Sequence, residues 1–154
     1  MNCYVRNAGV LLSLLHEVDM RNVGGCIDLG HSLAAGENPA EAAVLLYRAG
    51  KLFQVHLNDN YRDWDHDLIV GGVTFWETLE YFYWLRRCGW TGWHILDIFP
   101  YRIDGAQALQ EGVNRTKFFI DLAERLDTQD LRASLERSDV IAAGRELWKQ
   151  TFRS

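Results

Sequence analysis

Proline is nearly absent from this chain, with 2 in 154 residues, and no serine- and glycine-rich tract interrupts it, which argues against a linker or a low-complexity region. No apolar run approaches the roughly 18–20 residues needed to cross a bilayer, so no segment is expected to span a membrane. The opening residues show no basic region followed by an apolar stretch and a small-residue cleavage site, and the expected address is cytoplasmic. Cysteine is scarce too. Cys3, Cys26 and Cys88 are odd in number and far apart, which suits neither a disulfide framework nor a CxxC metal site, and they are expected as buried free thiols. Positive charge is in deficit, with 16 Lys and Arg against 21 Asp and Glu and a net charge of -5. A nucleic-acid backbone needs a basic surface, so small molecules or proteins are the expected partners and nucleic acid is not.

What remains is the composition of an ordinary folded domain, 48% apolar and 24% charged. The segment Asn7 to Asp19 carries Val10, Leu11, Leu14, Leu15 and Val18 at helical spacing. Val23 to Asp28 follows, short, apolar and flanked by glycine, and reads as a parallel strand covered on both faces. Asn38 is placed to cap a helix, with Pro39 at its first position and Glu41 three residues after the cap, and Gly50 marks its end. The unit then recurs. Leu52 to His56 reads as a second strand, and a helix from about Thr74 to Arg87 closes near Gly89, with Thr74 and Glu77 fitting a capping box. Trp93 to Ile98 is the third strand, followed by helices from about Asp104 to Leu126 and from about Gln129 to Gln150.

The order α-βα-βα-βαα implies an α/β fold with parallel strands joined by right-handed crossovers. Three strands are too few to close a barrel, which small parallel barrels do at about eight. An open sheet exposes edges, so a homo-oligomer or a complementing chain is expected, and the last helix, with Leu131, Leu135, Ile141, Leu147 and Trp148, either makes that contact or folds back on its own sheet.

The polar residues fall where chemistry is done in such folds. Asp28, His56 and Asp97 each sit at the C-terminal end of an apolar strand, the rim that carries ligands in parallel α/β proteins. Singly, an Asp after a strand is more often a helix cap; three on one rim favour a site. In Ile27-Asp28-Leu29-Gly30-His31 a carboxylate and an imidazole flank a glycine that permits a tight path, a pair suited to Mn, Co, Zn or Mg. Asp65 and Asp67, at i and i+2, point the same way if the chain is extended and can grip one ion; the plainer reading is a solvated acidic loop. Of the tryptophans, Trp64 is the candidate sugar-stacking wall, whereas Trp76 and Trp84 fall on a helix and, with Trp90 and Trp93, read as core or interface.

Asp28-Leu29-Gly30-His31, His56-Leu57-Asn58-Asp59, Asp65-His66-Asp67-Leu68 with Gly71, and Leu96-Asp97-Ile98-Phe99-Pro100 resemble, in order, the metal-binding strand ends of xylose-isomerase-like TIM barrels, rhamnose-isomerase types included. The likeness covers roughly residues 22–104. It implies that residues 1–127 are the C-terminal part of a TIM (β/α) barrel, its last three βα units, with 128–154 a helical extension. By the same resemblance Asp28 bridges two divalent cations. His31, Asp65 and Asp67 bind the second, catalytic one, and His56 and Asp97 bind the first, substrate-orienting one, with Asp59 close enough to replace His56. The implied reaction interconverts an aldose and a ketose, the cations stabilising charge that develops on oxygen. The family pattern also calls for a Glu on the fifth strand, a nearby Lys and an acid-base group from the barrel's first half; this sequence has no counterpart, and Glu17, on a helix, is not a replacement. A non-catalytic metal- or sugar-binding subunit, a single-metal sugar epimerase and a phosphoesterase on abasic DNA stay open beside the isomerase, the acidic balance counting against the last.

Overall fold

The computed structural model describes residues 3–152. Strands β1 (Gly25–Asp28), β2 (Leu52–Leu57) and β3 (His94–Leu96) form one parallel sheet in the order β1-β2-β3. Helix α1 (Ala8–Val18) precedes β1, and α2 (Leu29–Ala34) and α3 (Pro39–Arg48) lie between β1 and β2. Helix α4 (Phe75–Cys88) joins β2 to β3, and α5 (Gly105–Leu126), α6 (Gln129–Glu136) and α7 (Val140–Thr151) follow. The chain is thus a mixed α/β structure with a small parallel sheet and seven helices among the described residues.

The helical side of the sheet holds the core. From Gln54 to Leu57 on β2, Val55 and Leu57 are fully buried while Gln54 and His56 are only half-buried, so alternation at this end of the strand puts one set of side chains under the helices and the other on a more open face. Cys26 on β1 is exposed between the buried Gly25 and Ile27, so this strand is not covered on both faces as its composition suggests. Small residues Ala40, Ala42 and Ala43 line the buried face of α3 beside Leu46, and α4, which packs against α3, buries Leu79, Tyr81, Phe82 and Leu85. Each large apolar side chain buried this way stabilises the fold by about 1.5–3 kcal/mol before entropy is counted. The Tyr81 hydroxyl, fully enclosed, donates to the Ile27 carbonyl at 3.2 Å. Phe82 stacks on His94 and on Phe119, with ring centroids 5.6 Å apart in both pairs, which ties β3, α4 and α5 together; burial lowers the pKa of His94.

The helix ends follow local chemistry. Asn7, Asn38 and Asp104 accept from the backbone N–H groups of Val10, Glu41 and Gln107 at the starts of α1, α3 and α5, satisfying donors with no partner inside the helix. Thr74 does otherwise. It makes no side-chain cap; its hydroxyl donates to Asp59 at 2.6 Å, and Glu77 pairs with Arg62, so the capping box is not formed. The helix expected across Gln129 to Gln150 is two, α6 and α7, because Ser138 takes a left-handed φ of 55° and Asp139 caps α7 through Ala142 N–H. The cysteines are free but not buried: Cys3 and Cys26 are exposed and Cys88 is half-buried.

Candidate metal centre

Parallel register sets the first group of residues. Asp28 is paired with His56 across β1 and β2, and Asp97, one residue beyond β3, donates its backbone N–H to the Leu57 carbonyl at 3.1 Å. The three side chains therefore meet at the C-terminal edge of the sheet. One ligand atom from each of Asp28, His56 and Asp97 lies within 4.8 Å of the other two. His56 Nδ1 is 3.1 Å from Asp97 Oδ2 and 3.6 Å from Asp28 Oδ2. His56 Nε2 lies 2.8 Å from the Gln54 amide nitrogen. With Gln54 donating there, the ring proton sits on Nδ1 and faces the carboxylates. Offering the Nδ1 lone pair to a cation requires the other tautomer, with the Gln54 carbonyl oxygen accepting, so Gln54 is coupled to the tautomer of His56.

The second group lies in the loop after β2 and on α2. His31 Nε2 is 2.6 Å from Asp65 Oδ2. Partial burial works against a charged His31, but Asp28, Asp65 and Asp67 outweigh it and raise its pKa. The Asp67 carboxyl is pushed up to about 6, first by burial and then by Asp65, Asp97 and Asp28 and a hydrogen bond with Asp65. Asp65 and Asp67 thus come together, though not through an extended segment: Asp67 has a φ of 49°, a left-handed conformation that Asp tolerates better than most residues. Leu68 N–H binds the Asp59 carbonyl and Phe99 N–H binds the Asp67 carbonyl, which ties this loop to both strand ends.

A layer of buried amides supports both groups. Asp28 caps α2 by accepting from His31 N–H through Oδ1, so the cap and the site share one carboxylate, whose Oδ2 is left toward His56 and the Asn58 amide. Asn58 accepts from Gly30 N–H at 2.7 Å, and Asn60 donates to the Gly30 carbonyl at 2.7 Å. Gly30 is required by this clamp rather than by a turn, since a Cβ there would lie 2.1 Å from Asn58 Oδ1. Asp59 is fully buried and accepts from Val73 N–H, Thr74 N–H and the Thr74 hydroxyl, so it is committed to the start of α4 and not free to replace His56. The sequence assigns no role to Gln54, Asn58 or Asn60, although Asn58 stands in the motif His56-Leu57-Asn58-Asp59; period-two spacing from His56 is the signal for Gln54 and Asn58.

This donor set fits a divalent cation. Mixed carboxylate and imidazole ligands suit Mn, Mg, Co or Zn. Among the described residues the ion pairs of Asp28, Asp65 and Asp97 are with histidines and none with Lys or Arg. Asp65 Oδ1 is buried without a hydrogen-bond partner. An acidic cluster with an unsatisfied oxygen and only histidines as partners is favourable to added positive charge. Trp64 is exposed beside this loop, Trp76 packs on Trp148 and Phe152, and Trp93, at 84% exposure, belongs to no core.

A family model of xylose isomerase-like TIM barrels matches residues 1–119, and the chain belongs to that family. An uncharacterized protein of Methanocaldococcus jannaschii is 35% identical over 85 residues, an alignment covering 53% of this chain but only 28% of that protein. No helix among the described residues is long and apolar enough to cross a membrane.

Proposed function

We propose that this member of the xylose isomerase-like TIM barrel family is the metal-binding, C-terminal portion of a sugar isomerase that interconverts an aldose and a ketose. In this reading residues 1–127 form the last three βα units of the barrel and 128–154 a helical extension, in a cytoplasmic protein completed by another chain or copy. The carrying observation is the convergence of Asp28, His56 and Asp97 from the ends of three successive parallel strands.

When bound, a divalent cation supplies Lewis acidity for a sugar oxygen. The chain's own residues do the rest. Asp28, His56 and Asp97 would hold one cation, and His31, Asp65 and Asp67, together with Asp28, would hold a second, catalytic one. Before a cation binds, the 2.6 Å contact between His31 Nε2 and Asp65 Oδ2 can hold a proton between the two groups, and that proton must leave for both to act as ligands. Asp67, pushed up to about 6, exchanges its proton close to neutral pH before the site is loaded. Asn58 and Asn60 fix the junction of β1 and α2 on which Asp28 and His31 sit.

Calorimetric titration of the metal-stripped chain with Mn2+, comparing the natural sequence with Asp28→Asn and Asp65→Ala, tests the reading. Binding that both substitutions weaken supports an assembled rim and leads to an aldose-to-ketose assay; no binding by the natural chain overturns it. A second reading, a proton-transfer epimerase using one metal, is favoured by the single three-residue ligand group found among the described residues. Two Mn2+ per chain supports the isomerase, one the epimerase.

A further inference from the structure

A cavity of about 800 Å³ opens beside the rim, between the loop that follows β2 and the loop that follows β3. Asp65 and Asp67 line it, whereas Asp28, His56 and Asp97 do not. We propose that this cavity binds the anionic end of a sugar derivative, a sugar phosphate or a sugar acid, held by Arg102 and Arg115 against an aromatic wall. The proposal rests on the sugar-isomerase reading above and narrows its substrate to a charged one.

Size is the first argument. Pockets of roughly 300–1,000 Å³ take drug-sized ligands, so this one has room beyond a bare monosaccharide. Its walls are the second. Tyr61, Trp64, Phe99 and Tyr101 line the cavity and are 63%, 70%, 55% and 80% exposed, a concentration of aromatic surface that marks a binding site. Phe99 and Tyr101 stack with centroids 6.1 Å apart, and Tyr61 meets His66 edge-on at 5.3 Å, so part of the wall is held in place before any ligand arrives. Flat aromatic faces suit the C–H face of a sugar chain.

Charge is the third argument, and it sets the ligand's class and direction. Arg102 has no ion pair among the described residues, and Arg115 is held through Nε by Glu111 at 2.8 Å, which orients its guanidinium. A neutral sugar leaves Arg102 without a counter-charge, whereas a carboxylate or phosphate matches the planar fork of Arg102 and can share that of Arg115 with Glu111. The carboxylates of Asp65 and Asp67 in the same cavity repel an anion, so the hydroxylated end of the ligand faces them and its charged end faces the arginines.

The test uses the full chain, metal-free and Mn2+-loaded, with a ribulose phosphate, xylonate and unmodified ribulose as probes, read by calorimetry and by quenching of tryptophan fluorescence. At least one charged probe is expected to bind about tenfold or more tighter than ribulose, as charge-assisted hydrogen bonds imply. The double variant Arg102→Gln/Arg115→Gln is expected to lose that advantage with its circular dichroism and Mn2+ affinity intact. Preference for the ribulose phosphate over xylonate identifies a phosphate as the anion, and the reverse a carboxylate. Equal affinity for charged and neutral probes, no binding of either charged probe, or a preference that survives in the double variant overturns the proposal. If Mn2+ fails to bind while the charged preference holds, the isomerase reading falls and the anion site stands; if Mn2+ binds and the preference is absent, the reverse follows.

Discussion

The C-terminal rim of the sheet and the junction of α4, α5 and α6 both depend on aspartates, and they treat them in opposite ways. At the junction Asp127, just past the end of α5, faces Arg86, Arg87 and Arg132 at 3.5, 3.5 and 2.7 Å. Partial burial pushes its carboxyl up, but these arginines outweigh that and hold it below the ordinary aspartate value. At the rim Asp67 meets other carboxylates and is pushed up to about 6. One region supplies its own counter-charge and is a tether between helices. The other has only histidines to set against its carboxylates, an arrangement compatible with a divalent cation.

The largest effect expected from breaking this contrast is on metal affinity. Asp28→Asn should weaken Mn2+ binding by about 100-fold or more, since losing even a partner of a ligand costs about 10–100-fold. Asp127→Asn should leave it unchanged. Calorimetry on both variants decides, and equal losses would mean that the rim is not a distinct site. Next comes the scaffold. Gly30→Ala forces a Cβ against Asn58 Oδ1 and should destabilise the fold by about 1–3 kcal/mol in thermal or urea unfolding. A melting curve identical to the natural chain's would show that the amide clamp does not hold the start of α2.

A smaller loss is expected at the tether. Asp127→Asn should lower the melting temperature by only a few degrees, because its arginine partners are partly exposed, and the loss should shrink in high salt. No salt dependence would remove the electrostatic account of this junction. The smallest effect is the pH response of the metal-free chain, where the two aspartates act with opposite signs. Asp67 binds its proton more tightly folded than unfolded, so its contribution to stability should rise as pH falls from about 6 toward the ordinary value of 3.8. Asp127 binds its proton less tightly when folded, so its contribution is present above 3.8 and is lost as pH falls through its depressed folded value. Carboxyl NMR titration of both residues checks this, and midpoints in the reverse order would refute it.

Much of the frame was legible because strand and helix periods leave a direct trace. The three strands, the parallel arrangement and the places of Asp28, His56 and Asp97 at strand ends all follow from short apolar runs and their last residues. Other features needed partners distant in the chain. Thr74 and Glu77 have capping-box spacing, but Asp59, 15 residues before Thr74, takes the hydroxyl and Arg62 takes the carboxylate. Asp59 is a ligand candidate by position and a structural acid by contact. Helices α6 and α7 read as one because apolar residues recur across Ser138, whose left-handed backbone is a matter of packing.

By itself the sequence determined the order of elements, the acidic balance and which residue types stand at the rim, since these depend on neighbours along the chain. Only the tertiary structure decided which acids are satisfied and which are not. Asp127 and Asp59 acquire arginines or backbone N–H groups from other elements, while Asp65 keeps a buried oxygen without a partner. A carboxylate's role is set by the charges and dipoles within a few ångströms of it, and folding alone brings those together.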